Sequence, residues 1–350
     1  MKVLLTGANG FVGSHILDAL RADRIPVALL LRAKSDRRFI QPHLEAVELG
    51  QGGRADSAAA GPEAGAPARP VELHEGVLED AAALDRALAG VTHVIHCAGA
   101  TKALRNKEFF TVNQLGTRHL VDAINRHGQI QRLVHLSSLA AAGPSSCLAP
   151  LSEGAPAEPV STYGHSKLAG EEEVTTRCGC EFTILRPPAV YGPRDAEFLR
   201  LFKAVKLGLK PVFGTGQQEL SFVYVEDLAR AAVHCLTSPA AARQTFFVTE
   251  RGIFTTRQFA DKIAEVMRRN AFLLRIPIPL LYPLGMAQDV LSQMTRRPNV
   301  LSRQKYPELR AEAWTCDGSR LQIETGFLCR TGLTDGLRRT RGWYQQEKWL

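Results

Sequence analysis

Short apolar runs alternate with longer amphipathic segments through the first half of the chain. "KVLLT", "PVALLL", "VEL", "HVIHCA", "RLVHLS" and "FTILR" read as buried strands, and several segments between them carry apolar residues at helical spacing. Strands separated by crossover helices pair in parallel and are covered on both faces, so the pattern predicts an α/β fold with a doubly wound parallel sheet. Right-handed crossovers bring the C-terminal ends of the strands to one edge, where ligands bind.

Two departures from the alternation set the expected organisation. Residues 50–70, "GQGGRADSAAAGPEAGAPARP", are rich in Gly, Ala and Pro and hold few large apolar side chains, so they predict a flexible surface insertion between the second and third strands. Beyond residue 186 the pattern becomes irregular and Pro-rich, as in "RPPAVYGPRD" and "RIPIPLLYP", which predicts a smaller lid on the sheet edge. The domains are therefore expected at 1–185 for the sheet and 186–350 for the lid, with about 222–250 returning to the sheet domain.

Composition narrows the function classes. The 350 residues are 45% hydrophobic, enough for a substantial core, and carry a formal charge of +8 that suits an anionic partner without selecting one. Basic residues are scattered except at 32–38 and at Arg338, Arg339 and Arg341, so nucleic acid is not expected as a partner. Seven cysteines, without paired CxxC motifs or a His series at ligand spacing, fit a reducing compartment and predict no metal site. Together with a strand-like start in place of a signal peptide, they make a cytoplasmic location the expectation. Residues 272–287, "FLLRIPIPLLYPLGMA", are the most apolar stretch, but Arg275 and three prolines interrupt a run too short to span a bilayer. A lid element is expected there, with a peripheral membrane contact as the alternative.

"TGANGFVG", residues 6–13, joins the first strand to the first helix. Its glycines at 7, 10 and 13 permit a tight turn, close approach of backbone to a pyrophosphate, and close packing of helix on strand. The helix N-terminus adds N–H groups and a positive dipole end for the phosphates. The strand–loop–helix context makes this a dinucleotide site, the Rossmann arrangement. About twenty positions on, an acidic residue would accept hydrogen bonds from the adenosine ribose, whereas an arginine accommodates a 2′-phosphate through bidentate pairing. The residue reached is Arg32, with Lys34, Ser35 and Arg37 close by, so NADP(H) is expected over NAD(H).

In "STYGHSKLAGEEEV", Tyr163 and Lys167 stand four apart, on one face of a helix. A nearby ammonium favours the phenolate, so Tyr163 is expected to have a lowered pKa and to exchange a proton with a substrate oxygen as hydride moves at the adjacent carbon. Upstream, the apolar run of "LVHLSSLAAAG" ends in Ser137 and Ser138 on the ligand edge, where a hydroxyl can hold that oxygen.

Together these motifs resemble the extended branch of the short-chain dehydrogenase/reductase superfamily, the NAD(P)-dependent epimerase/dehydratase family. The resemblance also rests on "CAGA" at 97–100, "VNQLGT" at 112–117, "LRPPAVYGP" at 185–193 and "FVYVEDLARA" at 222–231. It implies Tyr163 as acid/base, Lys167 holding the nicotinamide ribose, and Ser138 orienting the substrate oxygen. It further implies a cofactor site lined by Gly7, Asn9, Gly10, Phe11, Val12, Gly13, Arg32, Val77, Leu78, Ala98 and Gly99, with Cys97 beside them. Asn113 would be mainly structural, and residues 187–190, with Pro187 and Val190, would pass near the carboxamide. The chain departs from the family at Val77, where an adenine-binding acid is usual, and at Arg32, where NAD-using members have Asp. A homodimer is expected by resemblance alone.

"HLSSLAAAGPSS", "AWTCDGSRLQIETGF" and "GWYQQEKWL" are more similar to the 3β-hydroxysteroid dehydrogenase and dihydroflavonol reductase group than to sugar-nucleotide epimerases. That branch implies an oxidoreductase interconverting a secondary alcohol and a ketone. The apolar lid suits a small hydrophobic substrate of sterol, isoprenoid or phenolic type. A sugar-nucleotide epimerase/dehydratase is the alternative, with Arg194, Arg200 and Lys203 available to a diphosphate. A non-catalytic dinucleotide sensor or assembly protein is a third reading, although such members typically lose the tyrosine or lysine that this chain retains.

Overall fold

In a computed structural model, described over residues 1–45, 71–146, 149–295 and 305–350, seven strands form one parallel sheet. They are β1 (Val3–Thr6), β2 (Val27–Leu31), β3 (Val71–Glu75), β4 (His93–His96), β5 (Arg132–Leu136), β6 (Glu181–Arg186) and, from much later in the chain, β10 (Gln244–Phe247). Their order is β3-β2-β1-β4-β5-β6-β10, with every neighbouring pair parallel. All residues of β1, β2, β4 and β5 are buried, which is why none of them shows a polar–apolar alternation, although β4 and β5 also bury His93, His96, Arg132 and His135. The expected insertion at 50–70 lies outside the described residues.

Helices cover both faces. On one, α1 (Phe11–Ala22) packs Ile16, Leu17 and Leu20 against Leu228, Ala232 and Leu236, which belong to α6 (Val225–Thr237). On the other, α2 (Ala81–Leu88), α3 (Gly116–His127) and α4 (Thr162–Arg177) bury Leu84, Leu120 and Val174. Strand order reverses between β1 and β4, which opens a crevice beyond Thr6 and His96 where a dinucleotide lies in folds of this kind.

The lid is built from pieces far apart in sequence. Strands β7 (Ala189–Tyr191), β11 (Ile253–Thr255) and β13 (Ala313–Trp314) all pair with β9 (Glu219–Tyr224), and β8 (Leu209–Phe213) pairs in parallel with β12 (Phe272–Ile276). Around them lie α5 (Leu199–Lys206), α7 (Thr256–Met267), α8 (Ile278–Thr295) and α9 (Leu333–Gln346). Their core is aromatic: Phe202, Phe222, Tyr224, Phe259 and Tyr344, with Phe222 stacked on Phe259 at 4.5 Å. Within 222–250, α6 and β10 lie with the main sheet, whereas Phe222, Val223 and Tyr224 end the lid strand β9.

Where lid and sheet domain meet, two acids are buried together. Asp227 is held by Arg230 and by the Thr331 N–H at 2.8 Å, but Glu250 Oε1 has no hydrogen-bond partner. Burial, and then the charge of Asp227, push the Glu250 carboxyl from its ordinary 4.5 up to about 8. The folded chain therefore holds a proton that the unfolded chain releases. The stabilisation is complete below the ordinary value and is lost as pH rises toward the folded value. We expect the wild-type melting temperature to fall between about pH 5 and pH 8 through this group, and Glu250→Gln to flatten that fall. Equal slopes in the two proteins, measured by calorimetry across that interval, would remove Glu250 as the cause.

Candidate active site

The glycine loop is shaped by backbone contact. Gly7 has φ +74°, and a Cβ there would lie 2.6 Å from the Ala98 nitrogen, while one on Gly13 would lie 2.1 Å from the Gly7 carbonyl oxygen. Thr6 fixes the other wall: its carbonyl accepts from the Cys97 N–H at 3.2 Å and its hydroxyl from the Ala98 N–H at 3.2 Å. Helix α1 starts after Gly10 with no side chain capping its first turn. A bare helix N-terminus behind a loop with glycine at 7 and 10 is a cradle that fits a pyrophosphate.

Arg32 follows β2 directly, is exposed, and has no ion-pair partner among the described residues. Its expected helpers divide. Lys34 is exposed, but Arg37 is paired with Glu75 at 2.5 Å, which also occupies the acid at the end of β3. Val77 is exposed beyond that strand end, and Leu78 turns inward against Gly116.

The residues expected to be catalytic are brought together by close approach of α4. Ser161 caps that helix through the Gly164 N–H at 3.0 Å. A Cβ on Gly164 would lie 2.3 Å from the Ala140 carbonyl oxygen, and one on Gly170 2.5 Å from that of Asn113, so only glycine permits this seat. Ser138 ends the β5 connection by capping the short helix Leu139–Ala142, accepting from the Ala140 N–H at 3.1 Å. Tyr163 thereby comes close enough for Ser138 to act on its phenol, and Lys167 donates to the Leu136 carbonyl at 2.6 Å. Gly99 faces the Lys167 ammonium, 3.7 Å from where its own Cβ would stand. Asn113, in a five-residue π-helical turn, accepts from the Ala100 N–H at 2.7 Å and donates to Ser166 at 2.8 Å, tying the β4 loop to α4. The Pro187 carbonyl accepts from the Leu139 N–H at 2.8 Å, and Val190 pairs with Val223 as β7 enters the lid.

The electrostatics correct one expectation. Burial raises the Tyr163 phenol to about 12, with the Ser138 hydrogen bond acting the other way, and Lys167 is not among the groups that lower it. Instead the ammonium is turned to the Leu136 carbonyl, and its burial drops Lys167 to about 8. Tyr163 is thus a proton donor at neutral pH, the form that ketone reduction consumes. Cys97 beside it is half-buried, and desolvation pushes its thiol up to about 12, which leaves it unreactive.

Residues 3–248 match the profile of the NAD dependent epimerase/dehydratase family. The chain belongs to that family. It is an NAD-dependent enzyme of the oxidoreductase and epimerase kind. It is 31% identical over 349 residues to a ceramide reductase of Caulobacter vibrioides, covering 99% of this chain and 96% of the relative. To the N-acetyl-alpha-D-glucosaminyl-diphospho-ditrans,octacis-undecaprenol 4-epimerase of Escherichia coli O157:H7 it is 24% identical over 348 residues, covering 97% and 94%. The fold is shared with UDP-glucuronic acid 4-epimerase from Bacillus cereus in complex with NAD, at a TM-score of 0.74 and 20% identity over 99% of both chains.

Sequence reasoning missed the support behind Lys167. Glu171, one helical turn on, is buried; it accepts from Arg186 Nε at 2.9 Å, from Arg186 Nη2 at 2.5 Å and from the Ser137 hydroxyl. The run "GEEEV" was the available signal, but three consecutive acids do not show which one turns inward. Glu171→Gln leaves the Arg186 guanidinium buried without its counter-charge, a loss of about 3–5 kcal/mol. Chemical denaturation should show it as a clear drop in midpoint at unchanged slope, and a change under about 1 kcal/mol would contradict the assigned burial.

Proposed function

We propose that this protein is an NADP(H)-preferring reductase of a lipid ketone, interconverting it with the secondary alcohol. One observation carries the reading: Tyr163, Lys167 and Ser138 converge in a chain that matches a ceramide reductase over nearly its whole length. A bound nicotinamide supplies the hydride. Ser138 orients the substrate carbonyl, Tyr163 donates the proton that completes the alcohol, and Lys167 holds the ribose and balances the charge left on the phenol. Arg32 supports the cofactor preference, because an exposed, unpaired guanidinium at the β2 end is placed for a 2′-phosphate.

The sugar-nucleotide alternative draws support from the undecaprenol-linked 4-epimerase, itself a relative whose name joins a sugar diphosphate to a polyisoprenoid. Of the three cations open to a diphosphate, however, Arg194 is taken: it pairs with Asp18 at 2.8 Å and lies over Phe39. A lipid ketone therefore remains the favoured substrate class.

Two measurements test the reading. Tyr163→Phe should lower turnover of a lipid ketone by roughly a hundredfold to ten-thousandfold while NADPH binding stays near wild type. Undiminished turnover would remove Tyr163 as the proton donor, and NADPH binding without oxidation across sterol, ceramide-type and phenolic ketones would favour a sensor. For the cofactor, wild type should bind NADPH more tightly than NADH, and Arg32→Asp should weaken NADPH roughly ten- to hundredfold. Fluorescence titrations giving equal wild-type affinities would refute the preference.

A further inference from the structure

Most globular surfaces scatter their exposed apolar residues singly, but this lid gathers them. Leu207, Leu209, Phe272 and Leu274 are all exposed, at 81, 39, 73 and 40%, on and beside the paired strands β8 and β12. Phe272 is aligned with Leu209 in the parallel register, and Leu274 points to the same face two residues on. The chain then enters α8, where Leu280, Tyr282, Leu284 and Met286 are exposed and only Leu281 and Gly285 of residues 280–286 are buried. A helix this apolar on its outer side normally has a partner.

The charges indicate which partner. Residues 203–214 and 268–286 hold Lys203, Lys206, Lys210, Arg268, Arg269 and Arg275 and no Asp or Glu. Lys210 is paired with Asp261, whereas the other five are exposed and have no ion pair among the described residues. Exposed Leu, Phe and Tyr side chains interspersed with unpaired cations match an anionic bilayer surface: the apolar groups enter the acyl boundary and the cations meet the headgroups. No helix among the described residues is long and apolar enough to cross a membrane, so the contact is peripheral. The patch also adjoins the reaction centre. Tyr282 packs its ring edge-on against Tyr306 at 5.3 Å, and the helix Tyr306–Arg310 carries Glu308, whose carboxylate acts on the Tyr163 phenol.

We propose that the lid surface formed by β8, β12 and the first half of α8 docks on an anionic lipid bilayer, placing the entrance to the Tyr163 site at the membrane from which a lipid ketone is drawn. This rests on the lipid-ketone reading above.

The test is flotation of the full chain with vesicles of equal parts phosphatidylglycerol and phosphatidylcholine, and with vesicles of phosphatidylcholine alone. The protein should float with the anionic vesicles, several-fold less with the neutral ones, and release as salt is raised. Replacing Leu207, Phe272, Leu280 and Leu284 together by Ser should cut partitioning by at least about tenfold. Melting temperature and reduction of a short, water-soluble ketone should stay unchanged, since all four side chains already face solvent. Failure to float, or flotation that survives the four substitutions, overturns the proposal. So does a concentration-dependent dimer dissolved by them, which would assign the face to a second copy. Reduction of the soluble ketone without flotation defeats the membrane contact alone, while flotation without NADPH oxidation by any ketone defeats the reductase reading alone.

Discussion

The chemistry of this protein depends on how closely α4 can lie against the ends of β4 and β5. That approach is limited by backbone atoms. Gly164 rests on the Ala140 carbonyl and Gly170 on that of Asn113, each at a distance where a methyl group would collide. Because the helix sits this deep, Tyr163 comes beside Ser138 and Lys167 reaches the Leu136 carbonyl. Asn113 then closes the arrangement, bonding both to the β4 loop and to Ser166 on α4. A helix displaced outward by one methyl would keep the same residues in the same order and lose their convergence, since proton transfer requires hydrogen-bond distance.

Depth has an electrostatic consequence. An ammonium buried beneath a sheet edge is costly, and the surroundings limit the cost by removing competing positive charge. His96 and His135, which lie beside each other at 5.3 Å in β4 and β5, are both forced to stay neutral by burial and by Lys167, His96 down to about 3. His96 is satisfied by Thr6 at 2.7 Å and Thr117 at 3.0 Å, while His135 finds no partner for either ring nitrogen. Glu171 offsets Lys167 from behind but is itself neutralised by Arg186. The positive charge of the site is therefore that of Lys167, and its neighbour Tyr163 keeps its proton.

Local features were legible in the sequence and partnerships were not. The buried strands announced themselves as apolar runs because both sheet faces are covered, and the glycine loop did so because its turn, approach and packing are all settled within residues 6–13. Tyr163 and Lys167 were found by spacing along one helix. In contrast, the pairing of Arg37 with Glu75, of Arg194 with Asp18 and of Glu171 with Arg186 depends on which strand ends and helices meet in space. Each changed an inference: Arg37 ceased to be free for a phosphate, Arg194 for a diphosphate, and Glu171 emerged as support for the catalytic helix. The Tyr163 shift failed for the same reason, because spacing fixes the helix face and says nothing about the carbonyl to which a lysine turns.

The proposed function puts cofactor choice and substrate choice on two different parts of the fold. On the proposed reading, cofactor choice falls to Arg32, exposed just beyond the end of β2, where one guanidinium would meet one phosphate. On the same reading substrate choice falls to the lid, whose strands β7, β9, β11 and β13 are gathered from a stretch of more than a hundred residues and whose core is aromatic. The lid contacts the sheet domain through buried, specific groups such as Asp227 with the Thr331 N–H at 2.8 Å and Ser145 with Thr315 at 2.8 Å, so its position is held from below. Its outer surface at β8, β12 and α8 is not needed for that hold. On the docking proposal, the apolar side chains exposed there serve what the lid meets from outside.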